Sequence, residues 1–269
     1  MKIMVIDRDR DAVEEIEKIC ADIPGLDLVI EPIKNNAIEM ARAETYDAIF
    51  FDPAPQNEVR SFIIGARRGI SHYNPIIAMS HQLDSDVKKL GANDILSKPF
   101  DVGGFKQTLQ NMRTLNDLIT RLSDDSYDST SKEGVISRSA FYQIFISCLD
   151  RADRYGEESF LTFATVSNID DIRAKHGDAA ASEICSNLKK YTMRIRRLSD
   201  IAGQTAPEEI CLMLMRPANA EEPLMAIKRF SESMEEYIEL IGTSDIKPIV
   251  TVKMIELPSG ATTFEHDYS

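Results

Sequence analysis

Four residues of chemically useful type stand where apolar runs of the chain break off. Asp7 follows Lys2 to Ile6, Asp52 follows Ala48 to Phe51, Ser80 follows Ile76 to Met79, and Lys98 comes just after Ile95-Leu96. A carboxylate can attack phosphorus and form an acyl phosphate. A second carboxylate offers hard oxygen ligands to a cation. An ammonium neutralises an arriving phosphoryl group, and a hydroxyl donates to its oxygens. Taken alone, Asp52 is also a good turn residue, because the prolines at 53 and 55 stop a strand and turn the chain. The ordered set of four favours chemistry over the turn.

For these side chains to meet, the runs that carry them must be neighbouring strands of one sheet. Leu26 to Ile30 is a further β-prone run, and helical periodicities fill the gaps. One starts near Asp11 with Val13, Ile16, Ile19 and Ile23 on a single face and is closed by Pro24-Gly25. Others cover Asn36 to Ala43, the region of Phe62, Ile63 and Ala66, and a charged stretch around Val87 to Leu90. Strands alternating with helices predict an α/β fold, a doubly wound five-stranded parallel sheet. Ligands of such sheets collect outside the carboxyl ends of the strands.

Residues 1 to about 120 resemble a response-regulator receiver domain of the flavodoxin-like class. The resemblance matches Asp52 to the phosphoacceptor, Ser80 to the switch hydroxyl and Lys98-Pro99 to the family's Lys-Pro pair, and Gly91-Ala92-Asn93-Asp94 fits as well. It implies Mg²⁺ as cofactor, with Asp7, Asp52 and Ala54 as the metal set, and a histidine kinase or phosphotransfer protein as partner. Two departures stand out. Arg8 replaces the second acid after the first strand, putting a permanent cation near the metal's place, and Ile95 replaces the aromatic switch residue. Two states stay open: phosphorylation with altered metal dependence, helped by Asp9, or a pseudo-receiver locked by an Arg8–Asp52 ion pair.

From Val102 a helical pattern places Phe105, Met112 and Ile119 at one heptad position and Leu115 and Leu122 at another, a candidate homodimer or signalling seam. The predicted divisions are a receiver at 1–122, a polar linker at 123–135, an α+β domain at 136–257 and a disordered tail at 258–269. In the third part Ser137 caps a helix carrying Phe141, Ile144, Phe145, Cys148 and Leu149. A strand over Ser159 to Val166, helices over Asp170 to Lys175 and from Ala180, and strands at Ile201 and Ile210 to Met215 follow. A helix at Glu222 to Leu240 and a strand at Lys247 to Leu257 complete a mainly antiparallel sheet with helices.

The hairpin tip between Asp200 and the Ile210 strand is similar to that of a GGDEF domain, the cyclic-di-GMP synthase module, with the signature reading Ala206-Pro207-Glu208-Glu209-Ile210. The turns Tyr155-Gly156 and His176-Gly177-Asp178 also fall where that family keeps its turns. The resemblance implies that the catalytic function is lost. Ala206 and Pro207 replace glycines that admit GTP phosphates. Thr165 stands at the metal-binding aspartate, and Arg173 and Ser182 at guanine contacts. Glu208 and Glu209 then read as exposed turn charges. Arg197-Leu-Ser-Asp200 matches the family's inhibitory cyclic-di-GMP motif, in which Arg197 clamps phosphate and guanine and Asp200 accepts from the guanine edge. Lys228 or Arg229 would close over the second guanine, and the competing reading of the motif is a solvated basic helix end.

The net charge of −13 argues against DNA or anionic membrane as partner. The scattered Cys20, Cys148, Cys185 and Cys211 fit reduced thiols of a cytoplasmic protein rather than a zinc or redox motif. The expected function is a two-component signalling adaptor with an inactive cyclase-like domain that reads cyclic-di-GMP or docks a downstream protein. The alternatives are a scaffold with neither activity and, third, an active diguanylate cyclase.

Overall fold

The computed structural model describes residues 1–54, 59–67, 73–81, 91–124, 126, 128, 134–241 and 245–269. The charged helix expected around 87–90 and much of the 123–135 linker lie outside the described residues. The chain divides into two compact units. One takes in Met1–Thr120, Leu149–Glu157 and Pro258–Ala261, the other Arg121–Cys148, Glu158–Leu257 and Thr262–Ser269.

The first unit runs β1 (Lys2–Ile6), α1 (Arg10–Ala21), β2 (Asp27–Ile30), α2 (Lys34–Ala43), β3 (Ala48–Phe51), α3 (Val59–Arg67), β4 (Ile76–Ser80), β5 (Asp94–Ser97) and α4 (Val102–Ser123), whose last turn belongs to the second unit. Its five strands are ordered β2-β1-β3-β4-β5, and every pair is parallel. Alternation along the central strands feeds two cores. Met4, Ile6, Ile49 and Phe51 enter one, with Phe62 and Ile63 of α3. Ile3, Val5, Ala48 and Phe50 enter the other, with Ile16 of α1 and Phe105, Leu109 and Met112 of α4. A strand buried on both faces needs no polar alternation, so the apolar runs were readable. On α4, Phe105, Leu109 and Met112 are spent on the first unit's own core.

The second unit contains β6 (Val135–Ile136), most of α5 (Arg138–Tyr155), β7 (Ser159–Val166), α6 (Ile169–Ile195), β8 (Ile201–Ala206), β9 (Glu209–Met215), α7 (Glu222–Ile241), β10 (Val250–Leu257) and β11 (Thr262–Tyr268). The sheet order is β11-β10-β7-β9-β8-β6, antiparallel except for β6 beside β8. The two expected helices after β7 form one span broken at Gly177, whose φ of 86° is open to glycine and strained for other residues. The tail corrects the sequence reading. Instead of a disordered end, Thr262–Tyr268 pairs along β10 and buries Tyr268.

Candidate functional site

In the first unit the parallel register delivers the chemistry to one edge. Ile6 pairs with Phe51, so Asp7 and Asp52 leave adjacent strands together. Ser80 pairs with Ser97, and the Lys98 N–H donates to the Ser80 carbonyl at 2.8 Å. The Lys98 ammonium lies 2.6 Å from Asp7 Oδ2 and 2.6 Å from Asp52 Oδ2. Asp7 and Lys98 are buried, while the Asp52 side chain keeps 27% of its surface exposed. Burial alone would lower the Lys98 pKa, but its bonds to Asp52 and Asp7 hold it above the ordinary value. Asp52 is a turn residue as well, since its Oδ1 accepts the Ala54 N–H at 2.7 Å. The two readings of Asp52 were therefore compatible.

Asp9, expected to assist a metal, caps α1 by accepting the Asp11 N–H at 3.1 Å. Arg8 is exposed and makes no ion pair with Asp52, so the lock imagined for a pseudo-receiver is not formed. Asp7 Oδ2, Asp52 and the Ala54 carbonyl are hard oxygen donors, and Asp7 Oδ2 is buried without a well-aligned hydrogen bond. These fit a small divalent cation that keeps other ligands of its own. The Ala54 carbonyl now accepts from Lys34 Nζ at 2.7 Å, so it would have to exchange an ammonium for a metal.

In the second unit β8 and β9 meet in a two-residue turn, Pro207-Glu208, with Ala206 opposite Glu209 and Ile210 in the core. Glu209 is not an exposed turn charge: its side chain is only 10% exposed. The β7–β9 register sets Thr165 opposite it, and Thr165 Oγ1 donates to Glu209 Oε2 at 2.7 Å. Thr205 Oγ1 donates to Oε1 at 2.6 Å, and the Arg121 guanidinium pairs with the same oxygen. Glu208 is half-buried. Arg173 is taken up by Asp170 and Asp178, and Ser182 is exposed. Sequence reasoning missed Arg121 and Thr205. Arg121 lies 88 positions from Glu209, and no local pattern links them.

Arg197 and Asp200 sit in the turn after α6. Asp200 Oδ2 accepts the Arg197 N–H at 3.1 Å, and Arg196 Nη1 donates to the Asp200 carbonyl at 2.8 Å. Arg196, Asp200 and Arg229 line one small cleft with Phe160, Leu212 and Phe230. Lys228 and Arg229 are exposed on α7. The Arg197 side chain is held by Glu222, with Nη1 at 2.7 Å from Oε1, a partner the sequence did not signal.

No family model matches the chain, and no curated protein matches it. Solved structures similar to it include receiver and GGDEF domains. The receiver domain of a sensor histidine kinase from Pseudomonas aeruginosa, with a magnesium ion in its active-site cleft, is 25% identical; the match covers 41% of this chain and 95% of that one, with a TM-score of 0.33. The GGDEF domain of YfiN, also called TpbB, from the same organism is 19% identical over 45% of this chain and 75% of that one, with a TM-score of 0.38. The GGDEF domain of DgcB from Caulobacter crescentus, in complex with cyclic-di-GMP, is 12% identical over 50% and 83%, with a TM-score of 0.36. The topology speaks for itself. The order β2-β1-β3-β4-β5 is the flavodoxin-like doubly wound arrangement, and the second unit is α+β.

Proposed function

We propose that the chain is a response-regulator adaptor that accepts a phosphoryl group on Asp52 and carries an inactive GGDEF-like domain that binds cyclic-di-GMP. The observation behind this reading is the Lys98 ammonium shared by Asp7 and Asp52 at 2.6 Å each. Lys98 neutralises charge on an entering phosphoryl group, Asp52 supplies the attacking oxygen, and the Ser80 hydroxyl is within the same strand-end array. Asp7, Asp52 and Ala54 would hold Mg²⁺, which when bound adds further charge neutralisation. A histidine kinase or phosphotransfer protein is the proposed donor, and a downstream protein the proposed receiver of the signal.

What holds Glu209 supports the reading of the second domain as inactive. Both of its oxygens are engaged by Thr165, Thr205 and Arg121, and Pro207 has no N–H to offer a phosphate. Arg196, Asp200 and Arg229 line one cleft and Arg197 stands in the adjoining turn, a set of charges that suits a doubly anionic nucleotide with guanine edges.

Incubation with acetyl phosphate and Mg²⁺, followed by intact mass, is expected to add one phosphoryl group to the wild type and none to Asp52→Asn. An adduct that persists in Asp52→Asn would end the phosphoacceptor assignment. Calorimetry with cyclic-di-GMP on the wild type and Arg197→Ala tests the second half; equal heats from both would remove it.

A further inference from the structure

Arg197 does not wait open for a ligand. Glu222, the first residue of α7, turns its carboxylate back toward the preceding loop. Its Oε2 accepts the Ala218 N–H at 2.6 Å, and its Oε1 lies 2.7 Å from Arg197 Nη1. Asn219 fixes the start of the helix, its Oδ1 accepting the N–H groups of Glu221 and Glu222 at 3.0 Å each. The carboxylate is therefore held from the loop side and aimed at the guanidinium from the other. Asp200 forms no ion pair with that guanidinium; its Oδ2 accepts the Arg197 backbone N–H instead. Arg197 and Glu222 keep 35% and 21% of their side-chain surface, so the pair is reachable by a solute yet partly shielded from water.

We propose that Glu222 is a built-in competitor for Arg197: an anionic nucleotide gains the guanidinium only by displacing this carboxylate. The inference rests on the reading that Arg197 and Asp200 bind cyclic-di-GMP. A guanidinium binds carboxylate and phosphate with the same planar fork, so the exchange is one of like for like. The bound nucleotide then gains less from Arg197 than it would from a solvated arginine. Weak anions that reach the turn through charge alone are excluded. Glu222 thus sets the threshold concentration at which the site fills.

The test uses the full-length chain and Glu222→Gln, which keeps the side-chain length and an acceptor for the Ala218 N–H while removing the charge. Calorimetry with cyclic-di-GMP is expected to give about fivefold tighter binding than wild type, the upper range for releasing a partly exposed ion pair. A ligand-free measurement runs beside it. Phenylglyoxal labelling of Arg197, followed by peptide mass mapping, is expected to be faster in Glu222→Gln. Equal affinities, with binding still abolished in Arg197→Ala, would overturn the competitor role and leave the binding site standing. Equal labelling rates would overturn it as well. If neither protein binds and Arg197→Ala is indistinguishable, the cyclic-di-GMP reading falls and the competitor role with it.

Discussion

Lys98 decides how the receiver-like site is held. It is 5% exposed and lies 2.6 Å from each of two carboxylates. Its pKa is raised above 10.5, so the stability it contributes is fully present below that value and is lost only as pH rises through the raised one. Across the neutral range the contribution is constant. In Lys98→Gln, Asp7 and Asp52 would share the cleft without a cation. Stranding a buried carboxylate in this way costs about 3 kcal/mol. The two carboxylates would then face each other with no ammonium between them, so Lys98→Gln should unfold at lower urea than the wild type. Urea midpoints of both proteins at pH 7.5 read this directly, and equal midpoints would contradict it. The residue types of this site were legible because each closes an apolar run. The fate of Glu209 was not, because its partners Thr165, Thr205 and Arg121 come together only through strand register and a distant helix end.

Elements with two covered faces announced themselves, and edges did not. β3 is four buried apolar residues, AIFF, and needed no pattern beyond that. β11 reads TTFEHDY and buries only Tyr268 fully, with Phe264 packed partly against the core, so its polar residues hid a strand. Its removal is informative. A chain ending at Ala261 would bare the outer edge of β10 and lose Tyr268, worth about 2 kcal/mol of burial. The truncated protein is expected to unfold at lower urea and to self-associate through the exposed edge; an unchanged midpoint with a monomeric elution profile would count against that role. The packing of α5 on β8 gives a sharper test. A Cβ on Gly203 would stand 2.3 Å from Phe141 Cδ2 and 2.9 Å from its Cβ, and Phe141 is fully buried. Contact with the base of the ring leaves rotation no escape, so Gly203→Ala should cost about 3 kcal/mol in chemical denaturation.

At the scale of the whole molecule, one chain joins a strand-end site that keeps its reactive groups to a sheet whose equivalent groups have been turned inward. Asp52 stays partly exposed beside a cation, while Glu209 is covered and saturated. On the proposed reading, this difference predicts how the second unit would respond to GTP. With GTP and Mg²⁺ the wild type is expected to make no cyclic-di-GMP by chromatography. Thr165→Asp restores a carboxylate opposite Glu209, yet it should also fail. Arg121 would bridge the two acids in place of a metal, and Ala206-Pro207 would still deny the phosphates a close backbone approach. Combining Thr165→Asp with Arg121→Ala removes the competing cation and leaves the hairpin obstruction and the altered guanine positions Arg173 and Ser182. Turnover in that double variant would make the cation at Glu209 the decisive block, whereas continued silence would place the block in the hairpin backbone or at Arg173 and Ser182.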